Sequence, residues 1–409
     1  MMRVLLAAFI LIIASPAIAG EAPAWRPVDE ETGAIRDVEG LEQLAKDFPD
    51  SGTIRLRMLQ PYLEADEVEK VMETLEWLYD RSYVFSDVAQ AQISKLLEGV
   101  DPGRIAERLI AEPEVIAASE VVAIVPAEAG LLESVLMDLD GGNIAVTSVS
   151  GKSVWGRGAG GKWSEFRLAD TDNLSGIGYQ RSTGRIWVTS GHIDGSSKEV
   201  SAFSGLISPD LGQGEIRVSA ADGVALSDMH IAADGAIFAS DPVNGGVYVK
   251  RADSDTLEEL VAPGTFRSPQ GLATSKDGTQ LYISDYRYGI AILDLEGGTL
   301  ARLASDIPVI IDGVDALWRR GNSLIAVQNG TSPVRITAFD LSEDGQRVIG
   351  QRILEQANPE WTEPLSGYHG VDGLYYIGNG QWEAYVAGEL GEAKELVPAE
   401  IRHLPIASE

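Results

Sequence analysis

The sequence has 409 residues, of which 44% are hydrophobic, and its formal net charge at pH 7 is −30. This composition supplies a sizeable core and excludes a wholly disordered chain. The acidic excess opposes binding to nucleic acid or to an anionic membrane surface, because both need stripes of Lys and Arg. The chain contains no cysteine, which excludes disulfides and lipid attachment through a thiol.

The first residues have the features of a secretory signal peptide. Arg3 is the only early charge, an apolar run follows over Val4–Ile13, and Ala17-Ile18-Ala19 matches the small-residue cleavage pattern. We therefore predict a signal peptide over residues 1–19, cleaved after Ala19, and a periplasmic or secreted protein. The apolar run is too short to cross a bilayer and no later stretch is long enough, so no transmembrane segment is expected.

A helical segment is predicted over residues 38–113, after an irregular lead-in over residues 20–37. Asp66-x-x-Glu69 resembles a capping box at the start of one helix. The apolar face of that helix comprises Val68, Val71, Leu75 and Leu78. Pro61 is predicted to kink or end an earlier helix, because proline lacks the amide proton that a helix interior needs. These helices resemble a degenerate tetratricopeptide-type hairpin; a plain helical cap on the next domain fits equally well.

From about Ser119 to the end, short strands alternate with Gly, Asp and Ser turns. In the clearest unit, Ser268 to Gly297, two strands meet at Asp277-Gly278, a dipeptide suited to a tight hairpin, and a third strand follows from Gly289 to Leu295. Similar units begin near Leu132, Ser175, Leu226, Ser268, Asp312 and Pro364. A repeat of roughly 40 to 50 residues predicts a six-bladed β-propeller over residues 119–409. The expected fold is all-β, preceded by the small helical segment.

Two features of the predicted ring stay open. A long insert in the second unit runs through Asp210, and seven blades result if that unit divides. A closed ring also needs an extra strand, which either Glu120 to Val125 or Glu400 to Pro405 can supply.

Several repeats resemble those of the gluconolactonase/regucalcin-like propellers, and more loosely those of NHL-repeat proteins. The similar units are SPQGLATSKDGTQLYISD, from Ser268, and LSDMHIAADGAIFASD, from Leu226. Glu133, at the start of the first blade, is similar to a glutamate at the same place in the family. The resemblance covers about Leu132 to Ile377. It implies a divalent cation, most often calcium, bound by Glu, Asn and Asp side chains at the propeller mouth, and sugar-lactone hydrolysis in several members.

The resemblance also implies individual ligands. Glu133 matches the first-blade ligand, and Asp315, or alternatively Asp312, matches a late acidic ligand. Gln270 stands where the family has an asparagine, so its amide oxygen lies one methylene further out. Ser227-Asp228 replaces an Asn-Asp pair. All of these donors are oxygens, which calcium and magnesium prefer.

Catalytic and pocket residues follow from the propeller geometry. The inner strand of each blade begins near one end of the central channel, so side chains from different blades converge there. In the hydrolase hypothesis a metal polarises the carbonyl, and Asp228 positions or deprotonates the attacking water. His230 is a second candidate base, with a hydrogen-bonded structural histidine as the alternative. Ser227, Tyr286 and Trp318 are candidates for the substrate pocket.

Two hypotheses about function result. The first is an exported, metal-dependent hydrolase of a small lactone or ester. The second is a non-catalytic propeller that binds a small ligand or a protein, with the helical segment as the docking module. A hydrolase needs a metal beside a water-activating group, whereas a binding module needs only an accessible rim. The sequence contains no Gly-x-Ser-x-Gly elbow, which leaves a serine hydrolase without support.

Overall fold

The computed structural model describes residues 22–96, 112–138, 142–195, 202–386, 389–391 and 394–407. The predicted signal peptide and residues 97–111 of the predicted helical segment lie outside these ranges. Within them, no helix is long and apolar enough to cross a membrane.

Five helices precede the strands in the described part of the chain. They are α1 (Glu30–Ala34), α2 (Val38–Asp47), α3 (Gly52–Glu64), α4 (Val68–Tyr79) and α5 (Asp87–Leu96). The lead-in is thus not wholly irregular, because Asp29 caps α1 by accepting from the Thr32 amide at 2.8 Å. The predicted capping box is wrong: α4 has no side-chain cap, and Asp66 has a φ of 58°. Helix α3 continues through Pro61 to Glu64. The tetratricopeptide-type pairing stays a prediction.

The helices bury their apolar faces against the propeller. Phe48 on the α2 C-terminus packs between Trp25 of the lead-in and Tyr288 of the propeller, with ring centroids 5.0 and 5.1 Å away. Leu44 and Ile54, both fully buried, belong to the same apolar cluster. Burial of this kind is the main source of stability for short helices in water. The arrangement agrees with the helical-cap alternative.

In the described part of the chain, the strands form six blades that follow one another along the chain, as predicted, and one small two-stranded sheet. After β1 (Glu120–Val125), blade 1 contains β2 (Leu132–Asp138), β3 (Asn143–Ser148), β4 (Ser153–Arg157) and β5 (Trp163–Arg167). Blade 2 contains β6 (Asn173–Gln180), β7 (Arg185–Gly191), β8 (Gly205–Ser208) and β9 (Ile216–Ser219). Blade 3 contains β10 (Met229–Ile231), β11 (Ile237–Asp241), β12 (Gly246–Lys250) and β13 (Glu258–Val261). Each blade is antiparallel, apart from one parallel pair at the edge of blade 5, and the second unit does not divide.

The remaining blades repeat this pattern. Blade 4 contains β14 (Pro269–Thr274), β15 (Gln280–Asp285), β16 (Gly289–Asp294) and β17 (Leu300–Arg302). Blade 5 contains β18 (Ala304–Ser305), β19 (Ala316–Arg320), β20 (Ser323–Gln328), β21 (Arg335–Leu341) and β22 (Arg347–Gln356). Blade 6 contains β23 (Gly367–His369), β24 (Gly373–Ile377) and β27 (Ala399–Pro405), and a small hairpin, β25 (Tyr385–Val386) with β26 (Glu389–Leu390), lies between the last two. In the blade 4 hairpin, Gly278 has the positive φ, 74°, that its turn requires.

The ring is closed inside blade 6. Strand β1 pairs antiparallel with β27, and Glu120 lies opposite His403. Both segments predicted as closure strands are therefore in this blade, with β1 as its outermost strand. The inner strand of every blade begins at the same end of the central channel, which is the mouth. The segments that meet at the mouth are therefore those just before β2, β6, β10, β14, β19 and β23.

Candidate functional site

All six blades contribute to a small cavity on the channel axis. Its volume is about 40 Å³, and its lining includes Ser134, Gly176, Asp228, Gly271, Ala316 and Gly367. A water molecule occupies about 30 Å³ of liquid, so the cavity has room for a water or an ion but not for a sugar. Trp318 and His230 also line it. Three of the predicted site residues, Asp228, His230 and Trp318, therefore share this space.

Four carboxyl groups from different blades interact at the mouth. Glu133 and Asp228 are each only 6% exposed. Burial raises the pKa of Glu133 well above its usual value, and the charges of Asp315, Asp228 and Glu363 raise it further. Burial raises the pKa of Asp228 to about 7. These acids therefore share a site in which full ionisation is costly.

Trp382 joins two of these acids. Its indole Nε1 donates to Glu133 Oε2 at 2.7 Å, and its backbone N–H donates to Glu363 Oε2 at 3.3 Å. Trp382 lies in the long connection between β24 and β27, which therefore reaches from blade 6 to blade 1. Sequence reasoning missed both Trp382 and Glu363. Glu363 had a signal, since it directly precedes Pro364, where the sixth unit begins.

Asp315 carries an unpaired oxygen. Its Oδ2 is buried and, among the described residues, has no hydrogen-bond partner. Burial raises the pKa of Asp315, and the side chain of Asn329 opposes the shift. Asn329 accepts from the Tyr286 hydroxyl at 2.9 Å. Tyr286 thus lies near Asp315, and its place in a substrate pocket stays a prediction, whereas Asn329 was not foreseen.

Asp312 lies in a different environment from Asp315. Its carboxylate accepts from the Ser51 hydroxyl at 2.8 Å, the Gly52 amide at 3.0 Å and the Thr53 amide at 2.8 Å. Asp312 is 2% exposed and faces the N-terminus of α3. Of the two alternatives for the late acidic ligand, the structure places Asp315 with the other acids.

His230 is held between two blades. Its Nε2 accepts from the Thr274 amide at 3.3 Å and lies 2.9 Å from the Thr274 hydroxyl oxygen. Burial lowers the pKa of His230 to about 4, so the ring is neutral near pH 7. These contacts match the structural alternative, because Nε2 is already used. Its role as a base stays a prediction.

The remaining predicted residues have mainly local contacts. Gln270 is half-buried, and its Nε2 donates to Ser268 Oγ at 3.0 Å. The Ser227 carbonyl accepts from the Gly176 amide at 3.1 Å and joins blades 2 and 3. Among the described residues, Gln270 makes no hydrogen bond to the four acids, and its ligand role stays a prediction.

A second cavity, of about 200 Å³, lies beside the acids. It is lined by Asn329, Val334, Thr362, Glu363, Gly380 and Glu383. The lining combines two carboxyl groups, a hydroxyl and an amide with the apolar side chain of Val334. This cavity has space for a small polar molecule and shares Glu363 with the group of acids.

The donor set fits a hard divalent cation in its chemistry. All candidate ligand atoms are carboxylate or amide oxygens. Among the described residues Asp315 Oδ2 has no hydrogen-bond partner, so cation binding would break no hydrogen bond at this atom. In the described part of the chain, however, no three His, Asp or Glu side chains lie in an arrangement that could hold a metal ion. Cation binding would therefore require side-chain movement at the mouth.

No protein-family model matches the sequence, and no curated protein matches it. Solved structures similar to the chain are propellers of several kinds. Regucalcin from Agrobacterium tumefaciens is 15% identical over 70% of this chain and 96% of its own, with a TM-score of 0.46. A gluconolactonase from Xanthomonas campestris is 15% identical over 70% and 99%, with a TM-score of 0.43. Virginiamycin B lyase from Staphylococcus aureus is 13% identical over 70% and 99%, with a TM-score of 0.49.

A gluconolactonase and a regucalcin, the kinds of propeller that the repeats resemble, are thus among the similar structures. Sequence identities and TM-scores of this size do not assign an activity to this chain. The six-bladed propeller itself is established by the strand order of the blades, as predicted from the sequence.

Proposed function

We propose that the protein is an exported propeller that binds a divalent cation at its mouth and hydrolyses a small lactone or ester. The observation that carries the proposal is the group of buried acids, in which Asp315 Oδ2 lacks a partner. Buried carboxylates that repel one another are stabilised by a proton or by a cation. Calcium is the first candidate, because every available ligand atom is oxygen.

The residues have separate roles in this proposal. Glu133, Asp315 and Glu363 hold the cation, which polarises a carbonyl when bound. Asp228, whose pKa is raised to about 7 by burial, accepts a proton from the attacking water. The cavity of about 200 Å³ beside Asn329 receives the small molecule.

The alternative is a non-catalytic binding propeller whose helices dock a protein. In the structure the apolar faces of α2, α3 and α4 are packed against the propeller, in a cluster that includes Leu44, Ile54 and Phe266. A partner would therefore have to bind the polar faces of these three helices or α5, which has no buried residue. The burial of α2, α3 and α4 favours the hydrolase.

Calorimetry on residues 20–409 with Ca²⁺, Mg²⁺ and Mn²⁺ tests the proposal. We expect binding in the parent, and at least a tenfold loss of affinity in a Glu133→Gln/Asp315→Asn double variant. Asp277→Asn is the matched control, because Asp277 is an acid in an exposed hairpin of blade 4. Binding in the parent then justifies a screen of lactones and esters with Asp228→Asn as the inactive control. Absence of binding for all three cations would overturn the proposal.

A further inference from the structure

The helical segment contacts the propeller at two loops that carry mouth residues. The first loop, residues 309–315, ends at Asp315. The second, residues 329–334, begins at Asn329. Asn329 lies close enough to Asp315 to lower the pKa of its carboxyl. Each of them lies three positions from a residue that the helical segment holds.

The first contact is centred on Asp312. Three donors from the start of α3, Ser51, Gly52 and Thr53, converge on its buried carboxylate. The N-terminus of a helix carries a partial positive charge, so an ionised Asp312 is stabilised there. In the same loop, the Ile311 amide donates to the Asp50 carbonyl at 3.2 Å. The path of the chain into Asp315 is therefore determined partly by the helices.

The second contact is centred on Ser332. The Val84 amide donates to the Ser332 carbonyl at 3.0 Å, and the Ser332 hydroxyl donates to the Val84 carbonyl at 2.6 Å. Val84 follows α4 in the chain. The loop that presents Asn329 to Asp315 is thus attached to the same helical segment.

We propose that Asp312 is a positioning residue through which the helical segment sets the geometry of Asp315 at the mouth. The helices are then part of the cation site without touching the cation. This inference rests on the proposed function for its affinity readout, but its structural basis is independent of any cation. Ser332 has the same kind of role for Asn329, with fewer contacts.

The test compares Asp312→Asn with Asp50→Asn in residues 20–409. Asp50 belongs to the same interface, but its carboxylate pairs with Arg302 on the outermost strand of blade 4, at 3.4 Å. Both variants weaken helix docking and should lower the melting temperature. We expect Asp312→Asn to weaken Ca²⁺ binding at least fivefold and Asp50→Asn to change it less than twofold. Equal losses in both variants, or none in Asp312→Asn, would overturn the inference.

Hydrogen exchange separates this inference from the proposed function. In Asp312→Asn we expect faster exchange of the amides of residues 313–318, with or without Ca²⁺, and no such change in Asp50→Asn. If the parent binds no cation, the proposed function fails, yet this difference would still support the positioning role. If Asp312→Asn does not fold, Ser51→Ala removes one of the three hydrogen bonds and takes its place. Unchanged exchange in a folded variant would contradict the inference.

Discussion

Blades 3 and 4 differ from blade 5 in how the chain enters the inner strand. In blade 4, Asp285 at the end of β15 accepts from the Arg267 amide at 2.6 Å and from the Arg287 amide at 3.0 Å. In blade 3, Asp241 similarly accepts from the Ala225 amide at 3.2 Å. A carboxylate of the same blade therefore holds each entry loop through its N–H groups.

In blade 5 the donor and acceptor roles are reversed. Gln328 ends β20, and its Nε2 donates to the carbonyls of Ile310 at 3.0 Å and Asp312 at 2.9 Å. The Ile311 N–H in the same loop donates to Asp50 of the helical segment. The lead-in also contacts the entry loop of blade 4, since the Val28 amide and Trp25 Nε1 both donate to the Thr265 carbonyl at 3.1 Å. The difference is therefore one of donor and acceptor: a carboxylate that accepts from N–H groups holds the entries of blades 3 and 4, whereas an amide that donates to carbonyls holds the entry of blade 5.

The largest effect is expected from Gln328→Leu, which removes the side-chain support of blade 5. Besides its two donated bonds, Gln328 Oε1 accepts from Arg335 Nε at 3.0 Å and Thr337 Oγ1 at 2.8 Å. Buried groups left without a partner cost roughly 1–3 kcal/mol each, so with four groups affected we expect a loss of at least about 4 kcal/mol in unfolding free energy. Urea unfolding measures it. A loss below about 1 kcal/mol would show that the helices alone hold this loop.

A smaller loss is expected from Asp285→Ala in blade 4. The amides of Arg267, Ser268 and Arg287 lose their acceptor in partly buried surroundings. Removal of a buried acid offsets part of the cost, because burial raises the pKa of Asp285 to about 6. We expect a net loss of about 2 kcal/mol by urea unfolding. Asp277→Ala, in the exposed hairpin of the same blade, should lose much less. Equal losses would mean that Asp285 has no special role in the entry.

The smallest expected effect is a gain in stability, from Asp228→Asn. Asp228 has no hydrogen bond to its carboxylate among the described residues, and its pKa rises from 3.8 to about 7 on folding. Between pH 4 and 7 the folded protein then binds more protons than the unfolded chain, so stability falls as pH rises through this window. The change of the pKa from 3.8 to about 7 corresponds to roughly 4 kcal/mol at pH 7.5, and an unpaired buried Asn amide costs up to about 3 kcal/mol of that gain. With chelator present, we therefore expect Asp228→Asn to gain roughly 1 kcal/mol at pH 7.5 relative to its effect near pH 4. A loss at pH 7.5 would contradict this assignment.

The regular parts of the molecule could be predicted, because they depend on local patterns. The Asp277-Gly278 hairpin and the strand from Gly289 follow from turn chemistry and alternation. The capping box at Asp66 failed because the chain adopts a positive φ there. The irregular lead-in was only partly predicted, since α1 depends on a single cap, Asp29.

The candidate site residues named from the sequence lie mostly at or just before an inner strand. Glu133, Asp228 and Asp315 were named from that position together with the family resemblance, and they lie close enough for their charges to interact. Asn329 and Trp382 were not named, because they reach the mouth from loops whose path depends on tertiary contacts. Asp312 and Asp315 could not be separated by spacing, since the partner that distinguishes them is 260 residues away, at Gly52.

The closure of the ring has a consequence for how the chain reaches its native state. Ser119, just before β1, bonds Arg402 of β27 across 283 residues. Blade 6 therefore cannot form until the last strand has been made, and contacts so distant in sequence slow folding. Until then β1 has no partner strand. Its valines Val121 and Val122 are exposed even in the folded protein. Unfinished chains should consequently be the species most prone to aggregate, and binding by a chaperone would protect them most at this strand.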